Sequence, residues 1–323
     1  MYTLPQTNHP QINVLIKLFE SESQPFRKIH RMIDLFETII KTHTASIVCW
    51  YLDRENISDT IRKLLAESLQ TPSLGTWQYF SVETMKEIKK QHLGLFVKGF
   101  EEYFKKWKKD VNTVIETRNK YAHGATPPDD VCLKKINELI PILDTMLKAE
   151  WLALTTVVAF WKIDGKLTPI LVEGATKELY QNFGVYNIQQ EINPNDVYLV
   201  GKEGVLVRLF PLMVVDFVDN NEKKEVLGLY FFNDLRSKRK VSLLNYPNAL
   251  HIRNDKIYET FIKRIPVDRW SSSNVDEFSM KIEDLTVSFK GREDKLKELK
   301  EYITTDKPRQ VMVTGAQGWG NQH

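Results

Sequence analysis

From about Pro25 to Trp161 the apolar residues recur at helical spacing. Within FRKIHRMIDLFETIIKTHTASIVCWYL, Ile29, Met32, Ile33, Phe36, Ile39, Ile40 and Ile47 fall on one stripe and predict a long amphipathic helix. Ser58 suits the N-cap of a shorter helix carrying Ile61, Leu64, Leu65 and Leu69. The Thr, Pro, Ser and Gly of QTPSLGTWQYF (70–80) predict a loop. Two helical stretches follow, one through Leu95, Phe96 and Phe100, the other through Val111, Val114 and Ile115. The second closes at Gly124, suited to a left-handed C′ position, ahead of Pro127 and Pro128. VCLKKINELIPILDTMLKAEWLAL resumes as helix, with a kink or break expected near Pro141.

Beyond Lys162 the period shifts toward two. DVYLVGKEGVLVRLFPLMVVDFVD alternates extended β-branched and aromatic runs around a Lys-Glu-Gly turn. KEVLGLYFFND and KRKVSLLNY read as a hairpin joined by LRSKRK, and IYETFIKRI as a helix. A polar, Ser-rich WSSSNVDEF then precedes an amphipathic GREDKLKELKEYI and a β-run, QVMVTG. The expected organisation is a multidomain α+β chain. It has an all-α bundle over 1–161, a mixed, mostly β domain over 162–269, a linker over 270–288 and the start of an α/β module over 289–323.

Composition narrows the partners. At 323 residues the chain exceeds one typical core, and 42% hydrophobic with 27% charged residues is ordinary for a globular protein. A net charge of only +3 argues against a surface coated for duplex nucleic acid. The two cysteines, Cys49 and Cys132, lack CxxC spacing, so neither a disulfide framework nor a zinc site is expected, and no metal ligands are assigned. No basic-then-apolar leader is visible, and no apolar run reaches the roughly 20 residues that span a bilayer. The expectation is a soluble, cytoplasmic protein with no membrane partner.

The chemistry concentrates in IETRNKYAHGATPPDD. Arg118 continues the stripe of Val111, Val114 and Ile115 toward Ala122, where a guanidinium requires an acidic partner, an interface or an anionic ligand. His123 lies five residues on, about 140° around an ideal helix. The two converge only if the helix end unwinds or two copies meet. A histidine in a last turn is also explained by the helix dipole alone. The run EEYFKKWKKD (101–110) interleaves lysines with Tyr103, Phe104 and Trp107. That pattern suits either an amphipathic helix with a solvated lysine face or contact with single-stranded RNA.

The segment RNKYAHG resembles the R-N-x-x-x-H signature of HEPN domains, helical bundles of bacterial toxin and defence proteins. RMIDLFETIIK (31–41) resembles their first long helix and TPSLGTW (71–77) a loop of their N-terminal regions. The resemblance covers about the first half of the chain and implies metal-independent RNA cleavage at a paired site in a homodimer or higher oligomer. By position His123 would be the general acid/base, Arg118 the stabiliser of the phosphorane and Asn119 an orienting or phosphate-binding group. No cofactor is expected for that reaction. The alternative is a non-catalytic, HEPN-like module for dimerisation or partner docking, with Arg118 in an ion pair and His123 as a helix cap.

The C-terminal FKGREDKLKELKEYI followed by QVMVTGAQGWG resembles the entry to a P-loop NTPase of the AAA or STAND type. Gly315, Gly318 and Gly320 would belong to its phosphate loop. Asn321 and Gln322 stand where that loop has its lysine and its Ser/Thr. ATP is therefore expected only in a full-length parent protein, where an NTPase module would control the helical domain, and not as a substrate of this chain.

Overall fold

Two helices open the chain, α1 (Pro10–Ser21) and α2 (Pro25–Leu52). The computed structural model describes residues 3–265 apart from 55, 98, 124–126, 189–190, 194–195, 203, 219–225 and 236–239; side chains at 102–108, 122–123, 217–218, 226, 254–256 and 262 also lie outside the description. All seven stripe residues of α2 are buried, as their spacing predicts. The second half goes further: from Leu35 to Leu52 every residue is buried, so α2 is a central helix rather than a surface one. Its polar residues are accommodated locally. Thr42 donates to the Thr38 carbonyl (2.7 Å) and Ser46 to the Thr42 carbonyl (2.7 Å), while Ser81 donates to Thr44 Oγ1 (2.8 Å).

Around this axis lie α3 (Asp59–Ser68), α4 (Leu74–Lys90), α5 (Phe100–His123), α6 (Asp129–Leu147) and the short α7 (Glu150–Leu154). Ser58 caps α3 as expected, accepting from the Ile61 amide at 3.3 Å. The loop expected over 70–80 is corrected, because α4 begins at Leu74. Ser73 and Thr76 form a capping box, Ser73 Oγ accepting from the Thr76 amide and Thr76 Oγ1 from the Ser73 amide, each at 3.2 Å. The break near Pro141 is also corrected, since α6 runs through it. Leu95 and Phe96 precede one long helix, α5, rather than starting a separate one.

The change to strand comes at Thr155, earlier than the expected Lys162. A first antiparallel sheet holds β1 (Thr155–Ile163), β2 (Lys166–Ile170), β3 (Val197–Gly201) and β4 (Leu206–Arg208) in the order β2-β1-β3-β4. Asp164 and Gly165, with φ of 49° and 78°, make the tight β1–β2 turn. One face is covered by α8 (Lys177–Asn182) and the segment after it, where Tyr180, Phe183 and Val185 pack on Val158, Phe160 and Tyr198. A second antiparallel sheet is a meander of β5 (Met213–Val218), β6 (Val226–Asp234), β7 (Val241–Asn245) and β8 (Leu250–Asn254), followed by α9 (Asp255–Arg264). The expected β6–β7 hairpin and the helix at α9 are both present.

Helices and sheets share one compact unit, Met1–Asp268. Phe232 of β6 lies against Trp77 of α4 (centroids 6.4 Å apart) and stacks on Phe261 of α9 (5.1 Å). The chain is thus mixed α and β, with two antiparallel sheets. The second unit, Arg269–His323, lies outside the described residues, and with it GREDKLKELKEYI, QVMVTG, Gly315, Gly318 and Gly320.

Candidate functional site

The buried face of α5 runs through Val111, Val114, Thr117 and Tyr121. Arg118 sits at its border rather than on it, with 31% of its side chain exposed. The acidic partner that its position demands is Glu37 of α2: Arg118 Nε donates to Glu37 Oε1 at 3.0 Å. Tyr246, just after β7, donates its hydroxyl to Glu37 Oε2 at 2.6 Å. Both oxygens of a carboxylate that is 11% exposed are therefore engaged, one by α5 and one from the second sheet. Burial and the Glu37 carboxylate hold the Tyr246 phenol well above its usual range, so it stays a neutral donor.

These groups line a cleft of about 300 Å³ together with His30, Asp34 and Lys41 of α2, Asn233 and Leu244 of the second sheet, and His251 of β8. That volume is at the lower end for a small-molecule site. Burial and the neighbouring Glu37 push the Asp34 carboxyl up to about 7, against the opposing pull of Arg31 at 3.7 Å. Lys41 is 4% exposed, its Nζ lying 5.4 Å from the Trp77 ring centre and 5.3 Å from that of Tyr246. Burial lowers the pKa of Lys41 and Arg118 adds to that, while Glu37 and Asp234 oppose it. Burial also lowers the pKa of His30.

Of the sequence-assigned residues, the structure places Arg118 in this cleft and leaves Asn119 exposed on α5. The side chain of His123 lies outside the described residues. Helix α5 is nevertheless helical through His123, so the route to convergence by an unwound helix end is closed, and positions 118 and 123 stay about 140° apart around one axis. Two other histidines are unsuited to proton transfer: burial drops His9 and His43 to about 3, leaving both neutral. Among the described residues no group of three or more His, Cys, Asp or Glu is placed to hold a metal ion, and no helix is long and apolar enough to cross a membrane.

Sequence reasoning did not single out Asp34, Glu37, Lys41 or Tyr246. A signal existed for one of them: Lys41 is the sole charge in the run 38–52, TIIKTHTASIVCWYL. A lysine embedded in such a stretch has to be paired, solvated in a cleft or bound to something.

No family model matches the chain, and no solved structure does. A stretch of 66 residues is 30% identical to an uncharacterized protein of Plasmodium falciparum (isolate 3D7). The match covers 20% of this chain and 6% of that protein, so the chain spans only a small fraction of the relative's length.

Proposed function

We propose that the chain is a metal-independent endoribonuclease of the HEPN type, working as a dimer or larger assembly in which Arg118 of one copy acts with His123 of another. The observation that carries this reading is the setting of Arg118. Glu37 fixes the guanidinium through Nε, and among the described residues its two Nη groups carry no hydrogen bond, so they are free to serve a phosphate at the cleft. In the reaction, the ribose 2′-hydroxyl loses its proton to a base and its oxygen bonds to the adjacent phosphorus. The P–O5′ bond then breaks, and the departing oxygen takes up a proton. Arg118 stabilises the added charge on the phosphorane, His123 moves the protons and Asn119 orients.

Cleavage of labelled tRNA and total RNA in EDTA tests this, with Arg118→Ala and His123→Ala alongside. Wild type should leave 2′,3′-cyclic phosphate ends and each variant should be inactive. Equal mixing of the two inactive variants should restore about a quarter of the wild-type rate, because half the dimers then hold one intact site of two. Absence of cleavage by wild type sinks the reading; cleavage without recovery on mixing sinks the shared site.

One observation favours a second reading. The Glu37 carboxylate joins α2, α5 and the second sheet, which is what a latch in a non-catalytic dimerisation or docking module would need. No cleavage from a folded dimer would favour it.

A further inference from the structure

The cleft holds a second cation that the ribonuclease reading does not use. Lys41 is buried on the central helix, yet among the described residues its ammonium makes no hydrogen bond and no ion pair, and it lines the cleft. Its nearest anion by sequence, Glu37, has both oxygens occupied by Arg118 and Tyr246. Burying an ammonium without direct partners is costly, and the hydrophobic alternative at such a position is usually as stable or more so. The walls beside it are the ring faces of Trp77 and Tyr246, which tolerate a cation without neutralising it. Arg118 then brings a second positive group to the same cleft, and its repulsion of Lys41 is opposed at longer range by Glu37 and Asp234, neither of which hydrogen-bonds or ion-pairs with the ammonium. Two like charges facing one small cavity, with unspent N–H groups on both, make a donor-rich pocket for a shared anion.

We propose that Lys41 and Arg118 together form a binding site for the phosphate group of a nucleotide or of an RNA strand. The inference deepens the ribonuclease reading by giving that site a phosphate anchor within one chain. It rests on that reading only for RNA as the larger ligand. Lys41, the more buried of the two, supplies a compact point charge, and the Nη pair of the more exposed Arg118 supplies a forked contact. Glu37 and the Asp34 carboxyl line the same cleft from the same helix. About 300 Å³ admits one nucleotide-sized group rather than a duplex.

Isothermal titration calorimetry on the purified full chain tests the site with three probes: inorganic phosphate, adenosine 5′-monophosphate and a short single-stranded RNA. Lys41→Met and Arg118→Gln should each weaken binding about tenfold or more, the loss expected for one charge-assisted contact. Lys41→Met should melt at or above wild type, since the position no longer buries a charge. Tighter binding of the mononucleotide assigns the site to a free nucleotide, and tighter binding of the RNA assigns it to the strand. No binding of any probe to wild type overturns the proposal, as does binding that neither variant weakens. If Lys41→Met does not fold, Arg118→Gln alone decides. The two readings separate cleanly. Binding without cleavage keeps the phosphate site and removes the ribonuclease, whereas cleavage with no binding that either variant weakens does the reverse.

Discussion

Glu37→Gln is the most informative single change, because it alters charge while keeping shape. The carboxylate accepts one bond from the Arg118 guanidinium and one from the Tyr246 hydroxyl. A glutamine has one oxygen to offer and must turn its NH₂ toward the other donor, so one bond is lost outright and the second loses its charge. Hydrogen bonds to charged groups contribute roughly 1.5–3 kcal/mol each, and breaking a buried pair costs about 3–5 kcal/mol. Because Arg118 is 31% exposed and water can partly replace its partner, the lower end applies, about 3 kcal/mol. For a unit of this size that corresponds to roughly 6–12 °C in melting temperature. Urea titration followed by circular dichroism measures it, and a cycle with Tyr246→Phe isolates the coupling. Tyr246→Phe alone should cost about 1.5–2 kcal/mol, and the double variant should fall short of the sum by roughly 1 kcal/mol. A loss below about 1 kcal/mol for Glu37→Gln, or strict additivity in the cycle, would refute a shared buried network.

Asp34 makes stability pH-dependent. Its folded pKa, about 7, is raised above its ordinary value of 3.8 by burial and by Glu37, so the folded state holds its proton more tightly than the unfolded chain does. Stability from this group is therefore fully present below about pH 4 and declines as pH rises through 7; after discounting for partial exposure the loss is about 2 kcal/mol. Asp34→Asn should abolish that part of the decline between pH 5 and pH 8 in urea titrations, and an unchanged slope would count against the assignment. Ser73→Ala should cost about 1 kcal/mol through loss of the α4 cap, with Ser73→Gly milder; equal stability of wild type and Ser73→Ala in the same titration would contradict the capping box.

The helical periodicity carried much of the fold. The α2 stripe, the Ser58 cap, the β6–β7 hairpin and α9 are all legible because each is decided by residues within a few positions of one another. Errors arose where two local signals competed. Thr71, Pro72 and Ser73 do form a loop, but the same Ser73 starts a helix, and loop composition concealed the cap. At Thr155 the run TTVVAF is buried on both faces and shows no polar–apolar alternation, so it lacks the pattern that distinguishes strand from helix. The candidate site was half legible. Position on the α5 stripe told that Arg118 needs a counter-charge, but nothing local could name Glu37, 81 residues away, or bring Tyr246 to the same carboxylate. Pro141, read as a break, is absorbed within α6.

The bond between Tyr246 and Glu37 joins residues 209 apart in the chain, and that separation sets an order of events during synthesis. At roughly 5–20 residues per second, Glu37 leaves the ribosome about 10–40 s before its tyrosine does. In that interval α2 and α5 can meet, but the wall of the cleft contributed by the second sheet does not yet exist. A nascent chain can therefore carry Arg118 and Lys41 without carrying the cavity they share. The cleft is among the last parts of its unit to come into being, so whatever it binds can be bound only by a chain whose second sheet has already been made.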